Sequence, residues 1–446
     1  MPLLRKWLSK EQLNPPGEAP PRASAFQFAE ARVCARFYLQ KDFLMPRECI
    51  VGAESVRMIE LGHPWIIADA YTKKWPAGEA GDLVDLTDAA GRFLATALLD
   101  PKDRISARVL SRERMRLDKT WISKRLERAL ALRRDHTDLT GTSAYRLVNG
   151  EGDGFPGLTV DCYGEYLMVQ IYCAGWRRHL KLLTQALEEL LSPAGIYEKT
   201  RPQKTRELES EGDAKKYGNL LAGKPAASPL LVAENGLSFQ VSLERGLNTG
   251  LFLDQRKNRR DLAGRVKEKR FLNLFSYTGA FSVAAAAAKA SLVTSVDASA
   301  GYMEIARANF RANRLDPRRH EFLVGDCLAV LDEMSRQDKC YDIILMDPPS
   351  FSTTSKSRFT TRGGTSDLVA AALKLLKGGG LLITSSNHQK VELAEYLKEL
   401  RRGALQAGCS LQVVSVSGQP EDFPYQVSFP EGRYLKYVIC VKEELS

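Results

Sequence analysis

Short apolar runs recur through the last 200 residues, separated by longer segments with helical spacing of apolar positions. Phe271, Leu272, Leu274 and Phe275 form the first run, of the kind expected of a buried parallel strand. Ser276-Tyr277-Thr278-Gly279 breaks it as a tight turn, and the alanine-rich stretch that follows reads as a helix packed closely on a sheet. Residues 292–296 give a second strand ending in Asp297, and Ser299 caps a helix running to about Asn313. Residues 321–325 form a third strand ending in Asp326, and residues 341–346 a fourth ending in Asp347-Pro348-Pro349. A helix over 368–376 stops at three glycines, a fifth strand covers 381–384, and two closing strands complete the tail. This alternation predicts a doubly wound α/β sheet.

Upstream the pattern differs. Residues 1–48 are irregular and proline-rich. Short alternating segments divided by Gly, Pro and Asp follow, as in a small β-rich module. Asp118 caps a helix to about Asp135, and residues 144–242 form a mixed unit with hairpins at Gly164-Glu165 and Asn235-Gly236. The predicted division is an extension over 1–45, a β-barrel-like domain over 46–117, a central α+β domain over 118–245 and an α/β domain over 246–446.

Composition adds three constraints. Of the 446 residues, 44% are hydrophobic and 26% charged, which suits two or three packed domains and excludes a mainly disordered chain. The balance of 64 basic to 54 acidic residues gives +10, favouring a polyanionic partner. Basic residues concentrate at 101–136 (12 Lys/Arg against 5 Asp/Glu) and at 256–270 (8 against 2). The eight cysteines are scattered without a CxxC pair and the five histidines are dispersed, so no metal is expected. No apolar segment approaches membrane-spanning length, and a reducing, cytoplasmic setting is the default.

The chemistry sits at the strand ends. Asp297, Asp326 and Asp347 are spaced by the length of βα units, so all three reach one rim of the sheet. Asp297 suits a ribose diol, and Asp326 with the backbone N–H of Cys327 suits an adenine edge. A dinucleotide would require GxGxxG, whereas only Gly279 is present. S-adenosylmethionine, a nucleoside without phosphate, tolerates this turn. A ligand-free structural crossover remains the alternative, and each Asp alone suits a helix cap. In Asp347-Pro348-Pro349-Ser350-Phe351 the prolines deny the backbone strand hydrogen bonds, leaving the Asp to project and Phe351 to stack on an unpaired base. Lys356, Arg358 and Arg362, in the polar stretch that follows, are candidate phosphate contacts.

The motifs Asp347 to Phe351, Asn273-Leu274-Phe275-Ser276-Tyr277-Thr278-Gly279 and Thr249-Gly250-Leu251-Phe252-Leu253-Asp254-Gln255-Arg256 together resemble the RlmI/RlmK group of bacterial 23S rRNA methyltransferases. Gly150 to Gly157 is similar to that group's central domain, and Gly62-His63-Pro64-Trp65-Ile66 to its N-terminal PUA module. The resemblance spans about residues 46–446. It implies a Rossmann-like class I methyltransferase fold, S-adenosylmethionine as methyl donor, ribosomal RNA as substrate and a homodimer. By the same resemblance, Phe275, Ser276, Tyr277, Thr278, Gly279, Asp297, Asp326, Cys327, Asp347 and Gln255 would line the cofactor pocket, and Arg256 would lie beside it or contact RNA.

One position departs from the RlmI pattern. RlmI-type enzymes methylate cytosine at C5 and carry a cysteine after the fifth strand, because that carbon needs thiolate addition at C6. Here Ser386 occupies the corresponding place, followed by Asn387, and a serine is far too basic to replace a thiolate unaided. The Ser-Asn pair resembles the RlmK side, which methylates guanine N7. The expectation is therefore transfer to a nitrogen, with Asp347, Phe351 and Asn387 orienting the base. The alternatives are cytosine-C5 methylation with another nucleophile, or a non-catalytic RNA-binding or ribosome-assembly factor.

Overall fold

The computed structural model describes residues 46–200, 215–349, 351–353, 358–360 and 364–444. These fold into two compact units, one comprising 46–127 with Tyr172–Ser192, the other Arg128–Ile171 with the described residues from Pro193 onward.

The first unit holds a five-stranded sheet: β1 (Arg47–Ile50), β2 (Trp65–Ile67), β3 (Leu83–Thr87), β4 (Phe93–Leu99) and β5 (Ile105–Ser111), in the order β1-β3-β4-β5-β2. Cys49, Ile66, Val84, Leu86, Ala95, Ala97 and Ala107 make its core. The β-rich module expected here also contains a helix, Ala53–Glu60 (α1), within the stretch of short alternating segments. Ile59 is its buried residue and Glu54 lies in its first turn, favourable for the helix dipole. Helix α2 (Lys119–His136) begins at Asp118, whose carboxylate accepts from the Trp121 N–H at 2.8 Å, as expected.

In the second unit, β6 (Ala144–Asn149), β7 (Leu158–Tyr163), β8 (Tyr166–Ile171), β9 (Gly195–Lys199) and β10 (Gly218–Gly223) form a five-stranded sheet in reverse order of sequence. Between β8 and β9 the chain passes through helix α3 (Leu180–Leu191), which belongs to the first unit. Tyr163 pairs with Tyr166 across Gly164-Glu165, and Glu234 pairs with Leu237 across Asn235-Gly236 in the hairpin β11 (Leu230–Glu234) to β12 (Leu237–Val241). Both central residues of the second turn have positive φ, 50° and 81°, which matches the twist of the flanking strands.

The largest sheet joins β13 (Arg270–Leu274), β14 (Leu292–Asp297), β15 (Glu321–Val324), β16 (Tyr341–Met346), β19 (Leu376–Ser386), β20 (Cys409–Ser417) and β21 (Lys436–Glu444), in the order β15-β14-β13-β16-β19-β21-β20. Its first five strands are parallel, and β21 runs antiparallel to both neighbours. A small hairpin, β17 (Phe351–Thr353) with β18 (Arg358–Thr360), separates β16 from the next helix. The helices are α4 (Arg256–Ala263), α5 (Ala280–Ala287), α6 (Ala300–Ala312), α7 (Cys327–Arg336), α8 (Gly364–Leu375) and α9 (Leu393–Gln406). Alternate residues of β13 serve opposite cores: Phe271 packs with Phe281, Ala285 and Phe310, while Leu272 and Leu274 pack with Leu331, Leu368 and Leu382. The three glycines expected to end a helix instead lie within β19, where the pairing with β16 shifts register between Tyr341 and Ile343.

Candidate active site

The strand order reverses between β13 and β16, and a crevice opens there beyond their carboxyl ends. Gly250, Phe252, Gln255, Arg259, Asn273, Phe275, Ser276, Tyr277, Ala280, Phe281 and Asp347 line it. The turn leaving β13 is unusual: Phe275, Tyr277 and Gly279 all have positive φ, at 57°, 51° and 76°. Such backbone persists only where its surroundings overdetermine it. Here the Ser276 N–H donates to the Val296 carbonyl at 2.9 Å, and the Tyr277 N–H to Asp297 Oδ2 at 2.8 Å. The Thr278 hydroxyl donates to the Gly250 carbonyl at 2.5 Å, and Asn309 donates to the Thr278 carbonyl at 2.9 Å. Gly279 is required twice over, since its φ is left-handed and a Cβ there would lie 2.8 Å from that of Ala306. Tyr277 meets Phe252 at 5.2 Å and Tyr302 edge-on at 4.5 Å, making an aromatic wall.

Asp297, Asp326 and Asp347 follow parallel strands and share one rim. Asp297 braces the turn and also accepts from the Ser299 N–H at 3.0 Å. Asp326 caps α7, accepting from Leu328 and Ala329 N–H at 3.1 and 3.2 Å. Asp347 lines the crevice and is half-buried. It accepts from Gln255 Nε2 at 3.1 Å. Burial pushes its carboxyl up to about 6, assisted by the like charge of Asp254 and opposed by hydrogen bonds from Ser385 and Gln255.

Residues 145–432 match the S-adenosylmethionine-dependent methyltransferase family, and residues 50–112 match a PUA-like domain. The chain belongs to the S-adenosylmethionine-dependent methyltransferase family. The methyltransferase is 31% identical over 397 residues to ribosomal RNA large subunit methyltransferase I of Alteromonas mediterranea, covering 89% of this chain and 99% of that protein. It is 35% identical to the same-named protein of Pseudoalteromonas translucida over 379 residues, 85% of this chain and 95% of the relative. Among solved structures it superimposes at a TM-score of 0.80 and 29% identity on a protein assigned as a methyltransferase and complexed with SAH, covering 89% of this chain and 100% of that one.

S-adenosylmethionine is thus the cofactor, and the crevice suits it. Among the described lining residues the one guanidinium, that of Arg259, is 3% exposed and already paired with both carboxylate oxygens of Glu234 at 2.6 Å. Its charge is therefore engaged inside the fold, and the turn at Gly279 lacks the further glycines that bring backbone amides against a diphosphate.

The methyltransferase departs from the sequence reading at Arg256. Expected at the cofactor or on RNA, it is 3% exposed and forms a bidentate pair with the fully buried Asp422 at 2.8 and 3.0 Å. Its charge is used inside the fold. Cys327 is buried, and burial pushes its thiol up to about 12. Ser386 is buried at the end of β19 and Asn387, just beyond, is exposed. Phe351 and Arg358 fall in β17 and β18, where only the backbone is described; Lys356 and Arg362 lie outside the described residues. The sequence reading missed Ser385, whose hydroxyl accepts from Gln255 Nε2 at 2.9 Å, because attention fell on its neighbour Ser386. It also missed Phe252 as a wall residue, although Phe252 stands in the same motif as Gln255.

Proposed function

We propose that this methyltransferase modifies a base of large-subunit ribosomal RNA, probed best in 23S rRNA, at a ring or exocyclic nitrogen. The similarity to large-subunit rRNA methyltransferases over 95–99% of their length carries the RNA reading. The PUA-like match supports it. On this reading residues 46–117 grip the RNA, residues 118–245 space it, and residues 246–446 carry out transfer.

The bound cofactor supplies an electrophilic methyl group. Phe275, Ser276 and Tyr277 line the crevice that would hold the nucleoside, and Asp297 braces the turn that carries them. Asp347 accepts a hydrogen bond from the incoming base, with Asn387 and Phe351 orienting it. A ring nitrogen such as guanine N7 already offers an in-plane lone pair and loses no proton on methylation, so alignment suffices there, and proximity and orientation can supply about 7–11 kcal/mol. An exocyclic amine must also give up a proton, for which Asp347 is the acceptor at hand. The choice of nitrogen rests on Ser386 at the expected cysteine position and on the absence of a cysteine among the described crevice residues.

The test is transfer of labelled methyl from S-adenosylmethionine to 23S rRNA from a strain lacking the gene, followed by nucleoside mass spectrometry. An N-methylated nucleoside such as 7-methylguanosine supports the reading, and labelled 5-methylcytidine defeats the nitrogen assignment. Cofactor binding without transfer to any rRNA defeats the RNA assignment. Cytosine-C5 methylation is the second reading, favoured by the resemblance of the Asp347–Phe351 and Asn273–Gly279 motifs to the RlmI group.

A further inference from the structure

Two side-chain amides and two hydroxyls connect the crevice to the end of the edge strand β20. The Gly418 carbonyl, which can only accept, receives a hydrogen bond from Asn258 Nδ2 at 3.4 Å. The Ser417 hydroxyl donates to Asn258 Oδ1 at 2.8 Å. Asn258 therefore presents Nδ2 to Gln255 Oε1, at 2.6 Å. With its oxygen so engaged, Gln255 turns Nε2 toward Ser385 Oγ at 2.9 Å and Asp347 Oδ2 at 3.1 Å. Ser385 accepts that bond, which leaves its hydroxyl hydrogen to turn toward Asp347, whose carboxyl it helps hold down. Each amide orientation is fixed by its neighbour, starting from a backbone carbonyl whose polarity cannot change. Gln255 and Asn258 are 3% and 1% exposed, and Asn258 does not line the crevice.

We propose that Asn258 and Gln255 are positioning residues for methyl transfer: an ordered amide chain running from Gly418 delivers donors to Asp347 and holds its carboxylate as an acceptor facing the base. The proposal rests on the reading of Asp347 given above. It also gives Gln255 a different task from cofactor contact, since its amide oxygen and Nε2 are both engaged by protein groups.

The charged and titratable groups interacting with Asp347 are Asp254 and Arg259 from the turn and helix ending at α4, Tyr396 from α9 and Tyr437 from β21. Asp254 itself accepts from the Tyr434 hydroxyl at 2.7 Å. None of these bonds to Asn258 in the chain described, so Asn258→Leu acts on Asp347 through Gln255, which it frees to rotate.

The test compares Asn258→Leu, Gln255→Leu and the double variant, using the full chain, S-adenosylmethionine and 23S rRNA. Each single variant is expected to lose about tenfold in kcat, the scale of one hydrogen bond to a charged group. The acid limb of the pH–rate profile should move up by at least about 0.5 unit, because Asp347 loses a donor to its ionised form. Cofactor affinity of Asn258→Leu, which lies behind the crevice lining, should stay within about twofold by calorimetry, and the double variant should be no worse than Gln255→Leu alone. Additive losses, an unmoved acid limb, or a loss of cofactor affinity in Asn258→Leu overturns the proposal. Should Asn258→Leu not fold, Asn258→Asp carries the same test: its carboxylate accepts from Gln255, rotates the amide and sets an oxygen against Asp347, again raising the limb. Wild-type protein that binds cofactor but methylates no rRNA defeats the substrate reading instead.

Discussion

Asp347 is held at a cost to folding. Its folded value is raised to about 6 from an ordinary 3.8, so the fold favours the uncharged acid. Stability from this group is fully present below the unfolded value and is lost as pH rises through about 6. Asp347→Asn should therefore gain stability relative to wild type between pH 4 and pH 7.5. The gain has an upper value of about 3 kcal/mol for a shift of this size, and transfer activity should be lost. Urea titrations at the two pH values check it; an equal difference at both would contradict the account. The acid itself was legible, because a strand end followed by two prolines leaves few other uses for an Asp. Its altered affinity for a proton was not, since Asp254, Gln255 and Ser385 reach it from segments far apart in sequence.

At the scale of elements, the basic stretch 256–270 shows how charge can mislead. Eight cations there read as a polyanion-binding face. Instead Arg256 pairs with Asp422, Arg259 with Glu234, Lys257 with Glu421, Arg260 with Asp138 and Arg265 with Asp261. Four of these partners lie elsewhere in the chain, so periodicity and spacing could not reveal them. Asp422 also accepts from the Arg146 N–H at 2.8 Å, and Arg133 donates to the Asp422 carbonyl at 2.8 Å, fastening the loop before β21 to β6 and α2. Asp422→Ala should destabilise by about 3–5 kcal/mol, because Arg256 is left charged and buried. The double change Arg256→Met with Asp422→Leu should recover part of that loss. Denaturant midpoints of the single and double variants measure both. The strands themselves were readable, for the opposite reason: apolar runs, strand-end acids and two-residue turns are local signals that long-range pairing does not overwrite.

At the scale of the molecule, the proposed function assigns the +10 charge to an RNA substrate and the crevice to a cofactor without phosphate. RNA affinity should fall by at least about tenfold between 50 and 200 mM salt, whereas S-adenosylmethionine affinity should stay nearly constant. Filter binding and calorimetry across that range test the contrast, and a cofactor affinity falling in step with RNA would argue for a phosphate-bearing ligand. The parallel sheet and its switch point followed from alternation in the sequence. The shared core did not: Tyr163 and Tyr197 of the central sheet belong to the same apolar cluster as Phe271 and Phe281, a consequence of packing between segments remote in the chain.

Gln255 and Arg256 are neighbours, yet one leads to the reacting end of the crevice and the other fastens a distant loop. Adaptation to heat or cold that retunes the Arg256 staple must pass through the peptide that also aims Gln255. In lineages moving between climates, substitutions at position 422 should consequently travel with compensating changes around 255–258, so thermal history would be written into the reaction centre.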